Sequence, residues 1–449
     1  MQPITKQKYF YYIAFMLMAT TFLPLVFNNL PPFIRSHHLW TIIWGISLLV
    51  FNPKIFLNKA MLYVLAYGFF LFLATETILS SIDDWNHTRL FFEFYEIAIG
   101  LSVITYFLQN KDYIRLAKIT KWAIFFLFIT AIMSIISSAI NPMYARNIVG
   151  ISSIEIESER EAILSFKRYG GGNYSTAAAF MCLFPVFIYY YKNIEISLIS
   201  KKKLVVFSII VFLALLSMQI FGNILIAVAF GVIAVFGMRK MKLSILVISL
   251  FLSILLIIPK EIYVKSLVSV GDYFIKDSDL NYKLRDLATF IETGGDIKDN
   301  SSGVGARAER YPILMETFVK SPVLGCYFLS DLSGNEYKGE GAHLHWMNKL
   351  TVTGIIGLII FLLIPYKFIK NNLYQFNSTY KFYYILASIS ILCYGLIKQL
   401  GGRETWYTFF ILLPGLYYLP LLKNRRKPND SSIRIPELSD YESKGRIIE

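Results

Sequence analysis

Long apolar stretches recur along this chain: about a dozen runs, most of them near the roughly 20 residues that cross a bilayer core of about 30 Å, follow one another with polar breaks between. With 55% hydrophobic and only 16% charged residues in 449, and a mean hydropathy of +0.52, a water-soluble fold is excluded. The runs fall near 9–27, 39–51, 60–79, 91–108, 122–140, 175–191, 204–219, 222–238, 243–259, 345–366, 382–400 and 405–422. Twelve spans result, or eleven if 204–238 is continuous, because only polar residues around Gln219 and Gly222 divide it. Unbroken runs of this length exclude a transmembrane β-barrel, whose strands alternate over about ten residues. The expected fold is an all-α polytopic membrane protein of about 12 transmembrane helices.

The first run follows Lys6 and Lys8 with no small-residue cleavage site before further spans begin, as in an uncleaved start-transfer helix. The formal charge of +14 acquires meaning from its placement. Short loops on one side carry Lys54, Lys59, Lys111, Arg115, Lys118, Lys121, Lys192, Lys201, Lys202, Lys203, Arg239, Lys240, Lys242, Lys367, Lys370 and Lys381. Those on the other carry only Arg35, Arg89, Lys398 and Arg403. Sixteen against four puts the first side in the cytoplasm, with both termini. The basic excess then records topology and contact with anionic membrane lipid, and no nucleic-acid partner is expected.

Four sections follow: residues 1–259 hold helices 1–9 and an outer loop near 141–174, 260–344 form a long outer loop, 345–422 hold helices 10–12, and 423–449 make a polar cytoplasmic tail. The long loop exceeds a simple connector. It carries helical patterns at Leu284, Leu287, Ala288 and Ile291 and at Ile313, Leu314 and Phe318, which read as a helical cap over the outer mouth. Pro312 marks a break in the helix after Arg307. The three cysteines, Cys182, Cys326 and Cys393, offer no pair on the outer face and read as packing residues.

Ionisable residues within spans mark function by default. Glu76, Glu93, Glu96 and Lys349, with Asp83, Asp84, Arg89, Lys398, Arg403 and Glu404 at span edges, all fall toward the outer ends, which predicts a polar chamber open outward over an apolar lower half. Glu93, Glu96 and Arg89 share a helix face and could also simply neutralise one another.

The first outer loop closes with Lys167-Arg168-Tyr169-Gly170-Gly171-Gly172-Asn173 running into the sixth span, where a curled backbone, a helix N-terminus and two cations suit a phosphate. Arg168 is the better bidentate anchor, while lipid headgroups are the competing partner. The second loop holds Arg307 and Arg310 and closes with His343-Leu344-His345-Trp346-Met347-Asn348. A neutral imidazole there is a suitable proton acceptor. The two histidines alone do not make a zinc site, since alternate residues at a helix start point apart and no further Cys or His is near. Asp277-Ser278-Asp279 resembles an acidic pair that holds a metal-bound nucleotide sugar, but a lone match of this kind reads first as a solvated turn.

The chain resembles the bacterial O-antigen polymerase and O-antigen ligase superfamily in three places. Arg168, Gly170, Asn173 and Ala177 are similar to an Arg, Gly and Pro-Asn stretch entering a span, with Tyr174 where Pro is usual. Arg307 precedes Pro322-x-x-Gly325 by fifteen residues, with Tyr311 in the position of the usual Trp. His343 precedes Gly354-x-x-Gly357 by eleven, with Leu344 in place of a polar residue, a spacing that favours His343 over His345.

The resemblance covers about 168–366 by motif. It implies a GT-C-like, metal-independent, inverting glycosyltransferase of the inner membrane with its site facing the periplasm and no cofactor. Its substrate would be an undecaprenyl-pyrophosphate-linked glycan, transferred to a second lipid-linked repeat unit, with a chain-length regulator as protein partner. The roles implied are base for His343, with His345 as alternate or orienting partner, and pyrophosphate binding for Lys167, Arg168, Arg307 and Arg310, supported by Asn173, Tyr311 and Asn348. Trp346 and Asn348 lean toward polymerase over a ligase that transfers to lipid A core. A lipid-linked oligosaccharide flippase is the alternative from another class.

Overall fold

The computed structural model describes residues 5–73, 85–140, 169–218, 220–237, 243, 259–273, 279–293, 304–326, 344–400 and 402–424, with the side chains of 85–90, 221, 279, 280, 282, 283, 290, 304–309 and 424 outside the description. Among the described residues every regular element is helical. Among the described residues five helices are long and apolar enough to cross a membrane: Phe91–Gln109, Tyr113–Ile140, Tyr174–Lys192, His345–Gln375 and Ser378–Ile397. The chain is a helical membrane protein.

The helices that matter below are α1 (Lys6–Phe22), α2 (His37–Phe51), α3 (Lys59–Leu73), α4 (Trp85–Gln109), α5 (Tyr113–Ile140), α6 (Tyr174–Lys192), α7 (Lys201–Ser217) and α8 (Phe221–Phe236). The loop that follows contributes α9 (Lys260–Asp272), α10 (Asp279–Glu292) and α11 (Val304–Lys320), and then come α12 (His345–Gln375), α13 (Ser378–Ile397) and α14 (Arg403–Tyr407). A π-helical turn, Thr408–Leu412, extends α14 into Leu413–Leu416. The apolar stretch 204–238 is divided: α7 ends at Ser217, Ile220 leaves helical geometry, and α8 begins at Phe221. The ninth expected span lies outside the described residues apart from Leu243 and Pro259.

The segment that starts at Arg403 is apolar on almost every side and therefore occupies the centre. From Glu404 to Leu421 it is buried throughout. Small residues let backbones approach it: a Cβ on Gly100 of α4 would stand 3.3 Å from Tyr407, and Gly415 lies against Thr120 of α5.

Contacts at the helix ends follow the alternation read from charge. At the lysine-rich end Lys6 donates to the Phe51 carbonyl, Arg115 to Gln7 at 2.9 Å, Lys192 to the Ala234 carbonyl at 3.1 Å, and Tyr418 to Gln375 at 2.9 Å. At the other end Thr130 donates to the Phe22 carbonyl at 2.7 Å and the Gly172 amide to Ser134 at 2.8 Å.

Between the eighth and the tenth expected spans, α9 and α10 pack as a hairpin held by Arg285, which donates to Asp272 at 2.5 Å and Asn281 at 2.9 Å. The break expected after Arg307 does not occur, because α11 runs through Pro312 to Lys320. Its packing carries it through: Leu314 is buried, and its carbonyl accepts from Thr351 of α12 at 3.1 Å.

Past α11, the turn Ser321–Gly325 joins α12 through backbone alone. Gly354 interrupts α12 at φ 63°, ψ −172°, a region essentially reserved for glycine. The amides freed there are not left bare in lipid, since Ile355 donates to the Pro322 carbonyl at 2.9 Å and Ile356 to that of Val323 at 3.1 Å. Gly325, at φ 88°, lies so close to Gly354 that a Cβ on either would strike the other strand of the joint. Cys326 is buried beside this joint, and burial pushes its thiol up to about 12.

Gly354→Ala and Gly325→Ala should each lower the thermal unfolding temperature in detergent, with about 1–3 kcal/mol from backbone strain alone. Gly45→Ala in α2, where an added Cβ meets nothing within 4 Å, should leave it unchanged or raised. Equal unfolding temperatures for the Gly354→Ala and native proteins would refute the joint.

Candidate functional site

Two carboxylates one helical turn apart on α4 need separate partners, because like charges on one face repel and a bilayer supplies no water to screen them. Each has a histidine. Glu93 Oε1 lies 3.4 Å from His345 Nε2, and Glu96 Oε2 lies 3.5 Å from His37 Nε2.

Around Glu93 the network is tight. Its Oε2 is paired with Lys349 Nζ, and that ammonium also donates to Tyr67 Oη at 3.1 Å and stands 4.2 Å from the centroid of the Phe361 ring. His345 and Lys349 are four apart on α12, so one helix face brings both to the same carboxylate. Lys349 is 1% and His345 2% exposed, while Glu93 and Glu96 are also buried. Of the residues behind the expected polar chamber, Glu93, Glu96 and Lys349 sit in a packed network, while Glu76, Asp83, Asp84 and the Arg89 side chain lie outside the described residues. Both carboxylates have partners on other helices, His37 on α2 for Glu96 and His345 and Lys349 on α12 for Glu93, while the side chain of Arg89 lies outside the described residues.

The second pair reaches the central helix. His37, at the first position of α2 and set there by the Ser36 cap, lies 3.1 Å from Tyr407 Oη through Nε2 and 3.0 Å from Thr20 Oγ1 through Nδ1. Three turns of chain meet beside it. Asn173 caps α6 in a reciprocal capping box with Thr176 and donates to Glu404 of α14 at 3.3 Å. Gly170 and Gly402 take positive φ, at 78° and 94°, where a Cβ would strike Leu25 and Ser175 respectively.

The lysine-poor ends of α6, α11, α12 and α13 are linked side by side. Lys398 Nζ lies 4.2 Å from the Tyr174 ring centroid, and Tyr311 Oη is 3.5 Å from the Leu396 carbonyl. Trp346 donates to the Leu392 carbonyl at 2.8 Å in the space left by Gly395.

Of the residues expected to form the site, His345, Asn173, Asn348, Arg310 and Tyr311 are placed with side chains on these elements, Arg310 half-buried and Tyr311 exposed. Arg307 is placed as backbone in α11, one turn before Arg310 and Tyr311. His343, Lys167 and Arg168 lie outside the described residues, as do Glu76, Asp83 and Asp84. His37, Tyr407 and Tyr67 escaped the sequence reading. His37 carried the same signal as His345, a histidine where a loop joins an apolar helix, whereas nothing in a tyrosine's hydropathy tells that it faces a buried charge. Among the described residues no three His, Cys, Asp or Glu side chains are grouped to hold a metal ion. No protein family and no curated protein matches the chain.

Removing one partner of a buried ion pair strands the other charge, at about 3–5 kcal/mol, whereas removing both with matched volume is close to neutral. Lys349→Met should therefore lower the unfolding temperature sharply, and Glu93→Gln with Lys349→Met should recover most of the loss. A double variant as unstable as the sum of its two singles would refute the pairing.

Proposed function

We propose that this protein transfers a glycan from an undecaprenyl-pyrophosphate carrier to a second lipid-linked repeat unit, at the lysine-poor end of a bundle of about twelve spans. That end faces the periplasm in this reading, which follows from the one-sided distribution of basic loops. The observation that carries it is the His345–Glu93 pair, fixed by Lys349 where the cap chain joins α12, two residues from His343. Two motifs of the resemblance, Pro322-x-x-Gly325 and Gly354-x-x-Gly357, also meet in space, at the cap joint.

In the reaction, the acceptor hydroxyl oxygen bonds to the anomeric carbon as the bond from that carbon to the pyrophosphate oxygen breaks, with inversion. The hydroxyl proton passes to His343, and the carrier pyrophosphate leaves with the electron pair. Arg168, Lys167, Arg307 and Arg310 stabilise the charge developing on its oxygens, so that no metal ion or cofactor is called for. His345, held by Glu93, orients the base. Asn173, Tyr311 and Asn348 shape the surrounding surface.

A flippase for the same lipid is the second reading, and one observation favours it: Lys118 and Lys121 line a cavity at the lysine-rich end. The rest of that lining is mainly apolar and aromatic, which suits a hydrocarbon chain and not a sugar.

With purified protein and a lipid-linked repeat unit, His343→Ala should slow chain lengthening by about 10²–10⁴-fold, as expected for loss of a general base. Arg307→Ala should abolish it, with both proteins still folded in the membrane. Full-length glycan from either variant refutes the assigned roles. In cells lacking the protein, core capped with a single repeat indicates lost polymerisation, and uncapped core with lipid-linked polymer indicates lost ligation.

A further inference from the structure

A sizeable cavity of this bundle is lined by residues other than those of the Glu–His pairs. A cavity of about 790 Å³ opens at the lysine-rich end between α5, α6, α7 and the carboxyl end of the central segment, within the range of about 300–1,000 Å³ usual for ligand sites. Its chemistry is graded along α5. Lys118 and Lys121 stand at the helix start, both exposed, then come Trp122, Phe125 and Phe128 at helical spacing. From Lys118 to Phe128 is about 15 Å of helix. The Phe128 ring is stacked on Phe207 of α7 at 4.9 Å, and Trp122 and Phe125 keep 38% and 48% of their surface exposed. Lys121 Nζ lies 5.5 Å from the Trp122 ring centroid, which places its charge at the mouth of the aromatic stripe.

We infer that this cavity is a binding site for an anionic glycerophospholipid of the leaflet on the lysine-rich side. Its headgroup phosphate lies against Lys118 and Lys121, and one acyl chain lies along Trp122, Phe125 and Phe128. The gradient from point charges to aromatic rings matches the one from headgroup to hydrocarbon, and lysine offers a mobile ammonium suited to varied lipid phosphates rather than the planar fork that fixes one geometry. Loops on this side are crowded with basic residues, so anionic lipid is concentrated where the cavity opens. The inference does not depend on the glycosyl-transfer reading.

Trp122 reports on its own site. The protein is placed in phosphatidylcholine vesicles containing a few per cent of brominated phosphatidylglycerol or brominated phosphatidylcholine, and the Trp122 signal is taken as the difference from a Trp122→Phe variant. Phosphatidylglycerol should quench Trp122 at lower mole fraction, by about fivefold for each lysine. Lys118→Ala with Lys121→Ala, at exposed positions whose loss leaves the fold intact, should bring the two lipids level, and Lys118→Arg with Lys121→Arg should restore the preference. Equal quenching by the two lipids in the native protein, absence of quenching by either, or a preference that survives loss of both lysines would overturn the assignment. Displacement of the brominated lipid by a small mole fraction of undecaprenyl phosphate would also overturn it, by giving the cavity to the isoprenoid carrier.

Discussion

The arrangement of this protein turns on one buried ion pair, Glu93 with Lys349. Each charge alone would be costly inside a bilayer, and each finds an opposite charge on another helix. The lowest-cost solution joins α4 to α12, and with Tyr67 it also reaches α3. That choice fixes the rotation of α12 about its axis, because His345 sits on the same face one turn away and must arrive at the same carboxylate. The pair therefore acts as a rotational key. Hydropathy sets how deep α12 lies, while the ion pair decides which way it faces.

A second constraint, hydrogen bonding of the backbone without water, couples the cap to that key. Gly354 breaks the ladder of α12 nine residues after His345, and the turn at Pro322–Gly325 supplies the missing acceptors. With Thr351 donating to the Leu314 carbonyl, the first turns of α12 are held between α11 on one side and the carboxylate of α4 on the other. A shift of the cap would be felt at His345 through a short rigid segment rather than along a flexible linker.

The helical membrane class was legible because a membrane reduces it to a one-dimensional pattern. Apolar runs located helices such as α4, α5, α6, α12 and α13, since that signal is local in sequence. The weakest points were those that depend on neighbours. Glu93 and Glu96 were recognised as costly, but their partners at positions 345, 349 and 37 come from distant segments and cannot be read from spacing within α4. Pro312 was misread for the opposite reason: the local rule against proline is overridden by packing of α11 on α12. The glycines at 325 and 354 were visible as motif positions, yet that they pair with each other follows only from the close approach of two backbones.

The two ends of the bundle solve opposite problems with the same residue type. At the lysine-poor end Lys349 is enclosed by a carboxylate, a phenol and an aromatic face, and so is rigid and selective for one arrangement. At the lysine-rich end Lys118 and Lys121 are exposed, beside a broad apolar cavity. A charge that is fully paired inside the protein has little left to offer a ligand, whereas an exposed one at a hydrophobic mouth retains most of its field. At the lysine-poor end Lys349 is paired with Glu93, whose other oxygen lies 3.4 Å from the His345 imidazole.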